Sequence, residues 1–524
     1  MRIRYRGASY LGVFLVGLVL LSSKVAEACQ TFDEYGITTC LTFFSSAYIN
    51  LPDERRTVFD ANTETFFTRH PDNLLFQNNQ LLALFDGNPE KLSEAVGFPI
   101  HWHLEMRPTY DSTYDATGFG QGTYHSYLSS LATNVSGSMQ DNYQPLFREY
   151  YVDLHPKHFF IRLGRQIIAW GKSDGVYMLD IINNFNLINP QIFNEQQIKI
   201  PVWAANIVWQ PYPGGELQGI FIPQYYPTYY TGLQMKGGFP INGSYGDFTY
   251  GSVAAINNEL NGSLGFKIPT DVNNPSSRLN NWVYGARWSE QRGSIHYTLN
   301  YLYTWTTGYI YYPNTGTYAT ATAVNLRPHR MNVAGGSADY EFNTGNPWID
   351  GTVLRAESAV TIGDVYYEGN LGNPVDVTHW GILGGVDREI LGDYLERPVF
   401  FSFQYWQDWV LHRNNECACG GNEDMFQGLG YQGSHSGLRG MYESLSTLYM
   451  DKTSMTGDVL DTSLSAVYEW QFHDWWLQPH VGYRISDNTT LGLGFNIYAG
   501  GKQTPYGEFT NTSNVFFELH QTLL

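Results

Sequence analysis

The chain has 524 residues, carries 49 acidic against 30 basic side chains for a formal charge of −19, and is 16% aromatic. Acidity on this scale argues against a nucleic-acid-binding surface, which needs basic side chains to neutralise phosphate. Mean hydropathy is −0.29, and past the first 28 residues no stretch approaches the ~20 apolar residues of a spanning helix, so a helical membrane protein is excluded.

The amino terminus reads as a secretory signal peptide. Arg2, Arg4 and Arg6 form a basic start, Leu11 to Leu21 an apolar run too short to span a bilayer, and Ala26-Glu27-Ala28 a cleavage site. Cleavage after Ala28 leaves Cys29 first. A lipoprotein signal is disfavoured because Ala26 stands where such signals normally carry Leu or Val. Four cysteines, Cys29, Cys40, Cys417 and Cys419, suit an oxidising compartment. Cys29 and Cys40 are spaced for a short disulfide loop. Cys417-Ala418-Cys419 would be strained as a pair, although Gly420 and Gly421 make the backbone permissive. With His412 and Glu416 as neighbours, that loop holds too few ligands for a metal.

Residues 29–97 come next. Leu74, Leu75, Leu81, Leu82, Leu84 and Phe85 are spaced more like a helix than a strand, which predicts a short helical N-terminal segment. From residue 98 the pattern changes to period two. In Ile295 to Trp305 the large residues Ile295, Tyr297, Leu299, Tyr301, Tyr303 and Trp305 alternate with smaller or polar ones, and Leu464 to Phe472 and Val481 to Ile485 repeat it. Segments of about ten residues with aromatic-rich apolar faces are the signature of a transmembrane β-barrel.

The expected class is therefore all-β: an antiparallel up-and-down barrel of about sixteen strands, with 14 to 18 allowed, occupying 98–524. The strands fall near 98–107, 147–155, 158–168, 201–211, 216–223, 281–290, 293–304, 328–342, 349–361, 377–390, 397–411, 442–455, 459–472, 475–485, 488–499 and 513–523. The segment 29–97 would plug the lumen of this barrel, or sit below it on the periplasmic side. The plug is slightly favoured because a large barrel leaves space inside.

Connector lengths alternate, as barrel turns and loops do. Short turns fall at His155-Pro156-Lys157, Tyr212-Pro213-Gly214-Gly215, Gln291-Arg292, 343–347, 391–396, Thr456-Gly457-Asp458 and Ser486-Asp487. Between them run 108–146, 169–200, 224–280, 305–327, 362–376, 412–441 and 500–512, and a short outer turn at His473-Asp474 breaks the rule.

Two blocks carry a family resemblance. The first runs Phe159-Phe160-Ile161-Arg162-Leu163-Gly164-Arg165-Gln166-Ile167-Ile168-Ala169-Trp170-Gly171-Lys172-Ser173-Asp174-Gly175, then Leu179-Asp180, then Ile200-Pro201-Val202-Trp203. The second contains Leu477-Gln478-Pro479, Tyr483-Arg484-Ile485-Ser486-Asp487-Asn488 and Gly507-Glu508-Phe509. The chain resembles the Gram-negative outer-membrane barrels grouped as domain of unknown function 1302. Residues 183–194 depart from that group's usual Asp-x-x-Asn-Pro run. The resemblance implies a porin-like barrel in the bacterial outer membrane, some members of the group neighbouring exporters of hydrophobic compounds, and it supplies no catalytic residues.

Strand parity places Arg162, Gly164 and Gln166 inside and leaves Arg165 pointing at lipid, unless Gly164 marks a bulge or Arg165 lies at the rim. Lys172, Asp174 and Asp180 follow on a loop that folds inward as a charged eyelet with Arg162 and Arg165 opposite, or is fixed to the wall by ion pairs. Arg287, His296, Asp408, Glu469 and Arg484 complete the candidates for the pore lining, with Asn300, Arg355, Glu357, Gln404, His480, Glu518 and His520 on the same parity. Gly428 to Gly433 fits a dinucleotide fingerprint only by letter, and Gly433 to Gly437 has His435 where a nucleophile elbow needs Ser.

The reading is a non-enzymatic channel for small solutes in the outer membrane, with no cofactor, metal or nucleic acid. Its partners are membrane lipid and lipopolysaccharide, the barrel assembly machinery and the solutes, with a homo-oligomer left open. Alternatives are an exporter of hydrophobic compounds and a structural, adhesive or cytochrome-sheathing barrel without a pore.

Overall fold

The computed structural model describes residues 29–32, 36–51, 56–60, 65–69, 74–111, 147–187, 198–230, 234–236, 239–241, 270–308, 310–313, 324–346, 348–368, 373–390, 398–413, 442–455, 459–500, 506–507, 510 and 513–523. Among them, eighteen strands form one closed antiparallel barrel. In chain order they are β1 (Ile37–Asn50), β2 (Leu74–Gly87), β3 (Ile100–Met106, resuming at Thr109–Asp111), β4 (Phe147–Leu154), β5 (Phe159–Gln166) and β6 (Val202–Tyr212). Then come β7 (Gly215–Ile222), β8 (Val283–Arg292), β9 (Ile295–Trp305), β10 (Arg330–Glu341), β11 (Val353–Glu368) and β12 (Asn373–Ile390). The last six are β13 (Val399–Arg413), β14 (Tyr442–Met455), β15 (Leu460–Glu469), β16 (Asp474–Ser486), β17 (Thr489–Ala499) and β18 (Asn514–Thr522).

Each strand pairs with its neighbour in sequence, and the seam is closed by β1. On one side β1 pairs with β18, from Thr42 opposite Thr522 to Asn50 opposite Asn514. On the other it pairs with β2, from Ile37 opposite Gly87 to Ile49 opposite Leu74. A lipid-exposed sheet edge leaves backbone groups unsatisfied, so closure is what allows the sheet to sit in a bilayer.

Two expectations are corrected here. The segment 29–97 is not a helical plug: it supplies β1 and β2, which bring the sixteen placed strands to eighteen, within the 14 to 18 expected, and the barrel begins at Ile37 rather than at residue 98. The helix that is present, α1 (Glu90–Val96), occupies part of the connector to β3 and ends at Gly97, whose left-handed φ of 80° lets its N–H reach the Ser93 carbonyl. The misleading signal was Leu82 and Leu84, which share the inward parity of Gln80 and Asp86 while Leu81, Ala83 and Phe85 face out. Apolar residues on both faces erase the period of two.

Elsewhere parity holds. Ile295, Leu299 and Tyr301 are exposed on the outside of β9, while Thr298, Asn300, Leu302 and Thr304 are buried inside. Phe159, Leu163, Trp203, Trp209, Phe221, Tyr405, Tyr483, Leu493 and Phe517 extend the apolar outer surface around the barrel. Such a continuous band is a bilayer-facing surface, not a soluble one. Short turns gather at the end that carries residues 37 and 522, as at Pro213-Gly214, where Gly214 takes φ 89° after proline. Long connectors leave the opposite end. The added pair of strands keeps this alternation, with the connector 51–73 long and 88–99 at the turn end.

Beyond the barrel, Gln30–Phe32 pairs antiparallel with Ile37 to Thr39, and a disulfide joins Cys29 to Cys40. A Cys29 sulfur held in a disulfide is not available for the thioether of a lipoprotein. Cys417, Cys419 and the two enzyme-like strings lie outside the described residues.

A chain started at residue 98 would leave β18 and β3 as open edges. Such a truncation is expected to refold to no compact species by heat-modified gel mobility, whereas removal of a plug would leave a folded barrel of higher conductance.

Candidate functional site

The connector from β5 to β6 turns inward, and 167–187 and 198–201 of it are described. It leaves β5 through Gly164 at φ 139°, where a Cβ would lie 2.3 Å from the Tyr150 carbonyl oxygen. That residue turns Arg165 out of the lipid: Arg165 is buried, and its Nε donates to the Pro201 carbonyl at 3.3 Å.

The loop then crosses the inner face of the wall. Ile168, Trp170, Val176, Met178, Leu179 and Ile182 pack in one cluster with Ile220, Leu302, Val333, Ala359, Leu383 and Trp406. Those wall residues are apolar at inward positions where a wet lumen calls for polar ones, and the loop is what covers them. Burying each such side chain is worth about 1.5–3 kcal/mol relative to exposure.

Inward glycines make the track. A Cβ on Gly285 of β8 would meet the Trp170 ring at 2.8 Å, one on Gly335 of β10 would meet Leu179 Cδ2 at 3.0 Å, and one on Gly381 of β12 would meet Met178 Sδ at 2.6 Å. None of these glycines needs a left-handed backbone. At Gly381 the loop's Met178 is the nearest obstacle, whereas at Gly285 the wall residue Ile220, at 2.5 Å, and at Gly335 the Ser358 carbonyl, at 2.2 Å, crowd the position together with the loop.

Polar contacts fasten the same loop. The Lys172 N–H donates to Glu357 Oε1, its Nζ lies 2.9 Å from Asp339 Oδ1, and its carbonyl accepts from Arg355 Nη1 at 2.6 Å. Arg355 Nη2 also lies 2.8 Å from Asp174 Oδ2 and 2.6 Å from Asp387 Oδ1. Asp174 accepts from Gln404 Nε2 at 2.9 Å and returns its own N–H to Gln404 Oε1 at 3.1 Å. Farther along, Asp180 pairs with Lys199 and accepts the Trp170 N–H at 3.1 Å. Asn183 Oδ1 takes the Ile168 N–H at 2.7 Å while its Nδ2 donates to the Ile200 carbonyl at 2.8 Å, tying the outgoing and returning limbs together. Only the tip turns to the lumen: the Asp174 side chain is 65% exposed, against 12% for Arg355 behind it.

The other candidates divide clearly. Arg162 faces in, forms a two-pronged pair with Asp153 at 2.7 and 2.8 Å, and lies 3.7 Å over the Tyr151 ring. Arg287 approaches the Ala169 carbonyl at 3.5 Å, at the base of the loop. His296 sits between Ser289 Oγ at 2.9 Å and Asp339 at 3.2 Å, so it joins the Lys172 network. Asp408 contacts His379 Nδ1 at 2.9 Å, and Arg484 is exposed near the turn end of β16. Glu469 is not a lining group. It is buried and accepts the Gln471 and Phe472 N–H groups at 3.1 and 2.6 Å, which clasps the short outer turn.

A second cover sits beyond that turn, where Asp474 Oδ2 takes the Tyr506 N–H at 2.7 Å and Tyr506 packs near Trp476 and Tyr498. The arc from β16 through the seam to β5 carries rings and carboxylates inward. Phe44 stacks on His520 at 4.5 Å, His480 on Phe516 at 5.9 Å and His103 on Tyr151 at 4.9 Å. Outside the barrel wall, burial pushes the Tyr312 hydroxyl up to about 12 even with the Arg327 cation over its ring.

Sequence reasoning missed Asp339, Asp153, Lys199 and the three wall glycines. A usable signal was present: Gly285, Gly335 and Gly381 all fall on the inward parity of their strands.

No family model and no curated protein matches the sequence. Among solved structures, Acinetobacter baumannii OccAB1 is 8% identical with a TM-score of 0.44, covering 96% of this chain and 99% of its own. A BenF-like porin from Pseudomonas fluorescens Pf-5 is 8% identical at 0.41, covering 93% and 98%. Pseudomonas putida OprB at high pH is 11% identical at 0.39, covering 93% and 94%. At these values the likeness is to a barrel outline, not to this site. The fold and the site together define a bilayer-spanning β-barrel with a loop folded onto its inner wall.

Arg355 holds both limbs of the Lys172–Asp174 turn. Arg355→Ala leaves the half-buried Asp387 without that partner and is expected to cost about 1–3 kcal/mol in urea-unfolding stability. Hydrogen–deuterium exchange of the same variant should show faster exchange at 172–174 as the loop tip loosens.

Proposed function

We propose that the protein is a porin-like channel of the bacterial outer membrane through which small solutes pass, passively or by facilitated diffusion. One observation carries this reading: charged side chains on the inward face remain open to solvent, with Asp174 65%, Asp86 54% and Glu518 41% exposed, so the lumen is wet beside the loop. A filled barrel would desolvate such groups. Among the described residues, the inward loop narrows the passage by covering β6 to β14 and leaves Asp86 and Glu518 on the opposite arc exposed.

The outer-membrane location rests on the signal peptide, on the closed barrel with its apolar outer band, and on the resemblance of the β5 block and the last strands to the group of unknown function 1302. In this setting the turn end is periplasmic and the long connectors face outward. Membrane lipid, lipopolysaccharide and the assembly machinery are the partners such a barrel meets. No step in this reading calls for a catalytic group or cofactor. An exporter of hydrophobic compounds is disfavoured by the exposed carboxylates inside, which an apolar cargo would have to pass.

Refolded mature protein in planar bilayers is expected to give stable conductance steps. Gly381→Val places a branched side chain where Met178 Sδ now sits, so it should displace the loop and raise conductance by about twofold, in line with a pore limited by that loop. Steady bilayers without steps, for the native chain and the variant alike, would favour a structural barrel.

A further inference from the structure

The charges along the passage are not evenly presented. The cations of the loop and of its charged anchors are each held against an acid. Arg162 is clamped by Asp153, Lys172 lies on Asp339, Lys199 is buried against Asp180, and Arg355 is half-buried between Asp387 and Asp174. Arg287 is half-buried at the loop's base, beside the Ala169 carbonyl. Arg107 and Arg148 flank the Glu105 carboxylate at 2.9 and 3.5 Å and are themselves only 12% exposed. An ion pair of this kind presents little net field to a solute beyond it.

Carboxylates, by contrast, reach the water from both sides of the passage. Asp174 stands at the loop tip, outside its guanidinium partner. On the uncovered arc Asp86 and Glu518 are more exposed than the histidines they touch, His103 at 2.7 Å and His480 at 3.3 Å. Ring faces on that arc add to the effect, since Tyr151 already carries the Arg162 guanidinium at 3.7 Å and aromatic faces favour cations. Arg484 is the exposed cation on this side among the described residues; it sits two residues from the end of its strand at the turn-end rim, where Asp86 sits one residue from the end of β2, so on this arc one cation stands against the two carboxylates Asp86 and Glu518.

We propose that the passage favours cationic over anionic solutes, with Asp174 on the loop and Asp86 and Glu518 on the facing arc as the residues that set the preference. This rests on the channel reading above and adds its solute class. Fixed charge lining a narrow, low-dielectric passage raises the local concentration of the opposite ion and excludes its own sign.

The test is the reversal potential of single channels under a KCl gradient at pH 8, where ordinary imidazoles are neutral. The native chain is expected to pass K⁺ over Cl⁻ by about threefold or more, and the Asp86→Asn, Glu518→Gln double variant to lose at least half of that ratio with conductance retained. Both sites lie outside the loop's anchors, so the barrel and its constriction stay in place. Asp174→Asn should shift the ratio in the same direction. A native channel that prefers Cl⁻ or passes both ions equally overturns the proposal, as does a ratio unmoved in the double variant. Absence of any channel, by contrast, strikes the channel reading itself and takes this inference with it.

Discussion

Closure of the sheet is the constraint on which the rest depends. In hydrocarbon, an unpaired backbone N–H or C=O costs several kcal/mol, so each of the eighteen strands must have a neighbour on both sides. The seam between β1 and β18 meets that demand through nine residue pairs, Thr42 to Asn50 against Thr522 to Asn514. Below Thr42 the β18 partner runs out, and there Gln30–Phe32 takes its place beside Ile37 to Thr39, with the Cys29–Cys40 disulfide holding the short strand in position. This short strand thus completes the sheet at the rim of the turn end.

Closure also fixes which residues meet in the lumen. Because register is set strand by strand, the inward parity of β8, β10 and β12 brings Gly285, Gly335 and Gly381 under the path of one loop, although 96 residues separate the first from the last. A loop seated by shape alone could slide along such a track. Here Glu357, Arg355 and Gln404 on β11 and β13 take its backbone and side-chain groups at fixed points. The apolar contacts supply most of the free energy, and the polar ones decide where along the wall the loop stops.

Much of this was legible in the sequence because a half-buried strand writes its face into every second residue. Most strands from β3 to β18 follow that rule outside the stretches that the inward loop covers, and so do the inward positions of Arg162, His296, Asn300, Arg355 and Glu357. β1 and β2 were not legible: Leu82 and Leu84 point into the lumen, and two adjacent apolar faces look like a helix stripe. Arg165 was ambiguous for a different reason, since only the backbone angle at Gly164 decides where it points. Pairings such as Lys172 with Asp339, or Arg162 with Asp153, depend on how far the loop reaches and on which strands lie side by side. Neither is a local property of the chain.

The ion pairs of the loop have a further consequence. Lys172–Asp339 and Arg355–Asp387 are only partly buried, and part-exposed pairs add little to stability, so they are poorly explained as sources of stability alone. Their geometry explains them better as a way to hold charge at a chosen place. Arg355 draws Asp174 to one spot on the loop tip and stays behind it, leaving the carboxylate outermost. Had the order been reversed, with an acid behind and a guanidinium at the tip, the same number of contacts would have fastened the loop equally well and turned the opposite sign toward the solute. The sequence order Lys172, Asp174 on the loop and Arg355 on the wall is therefore a choice about the field in the passage as much as about the fold.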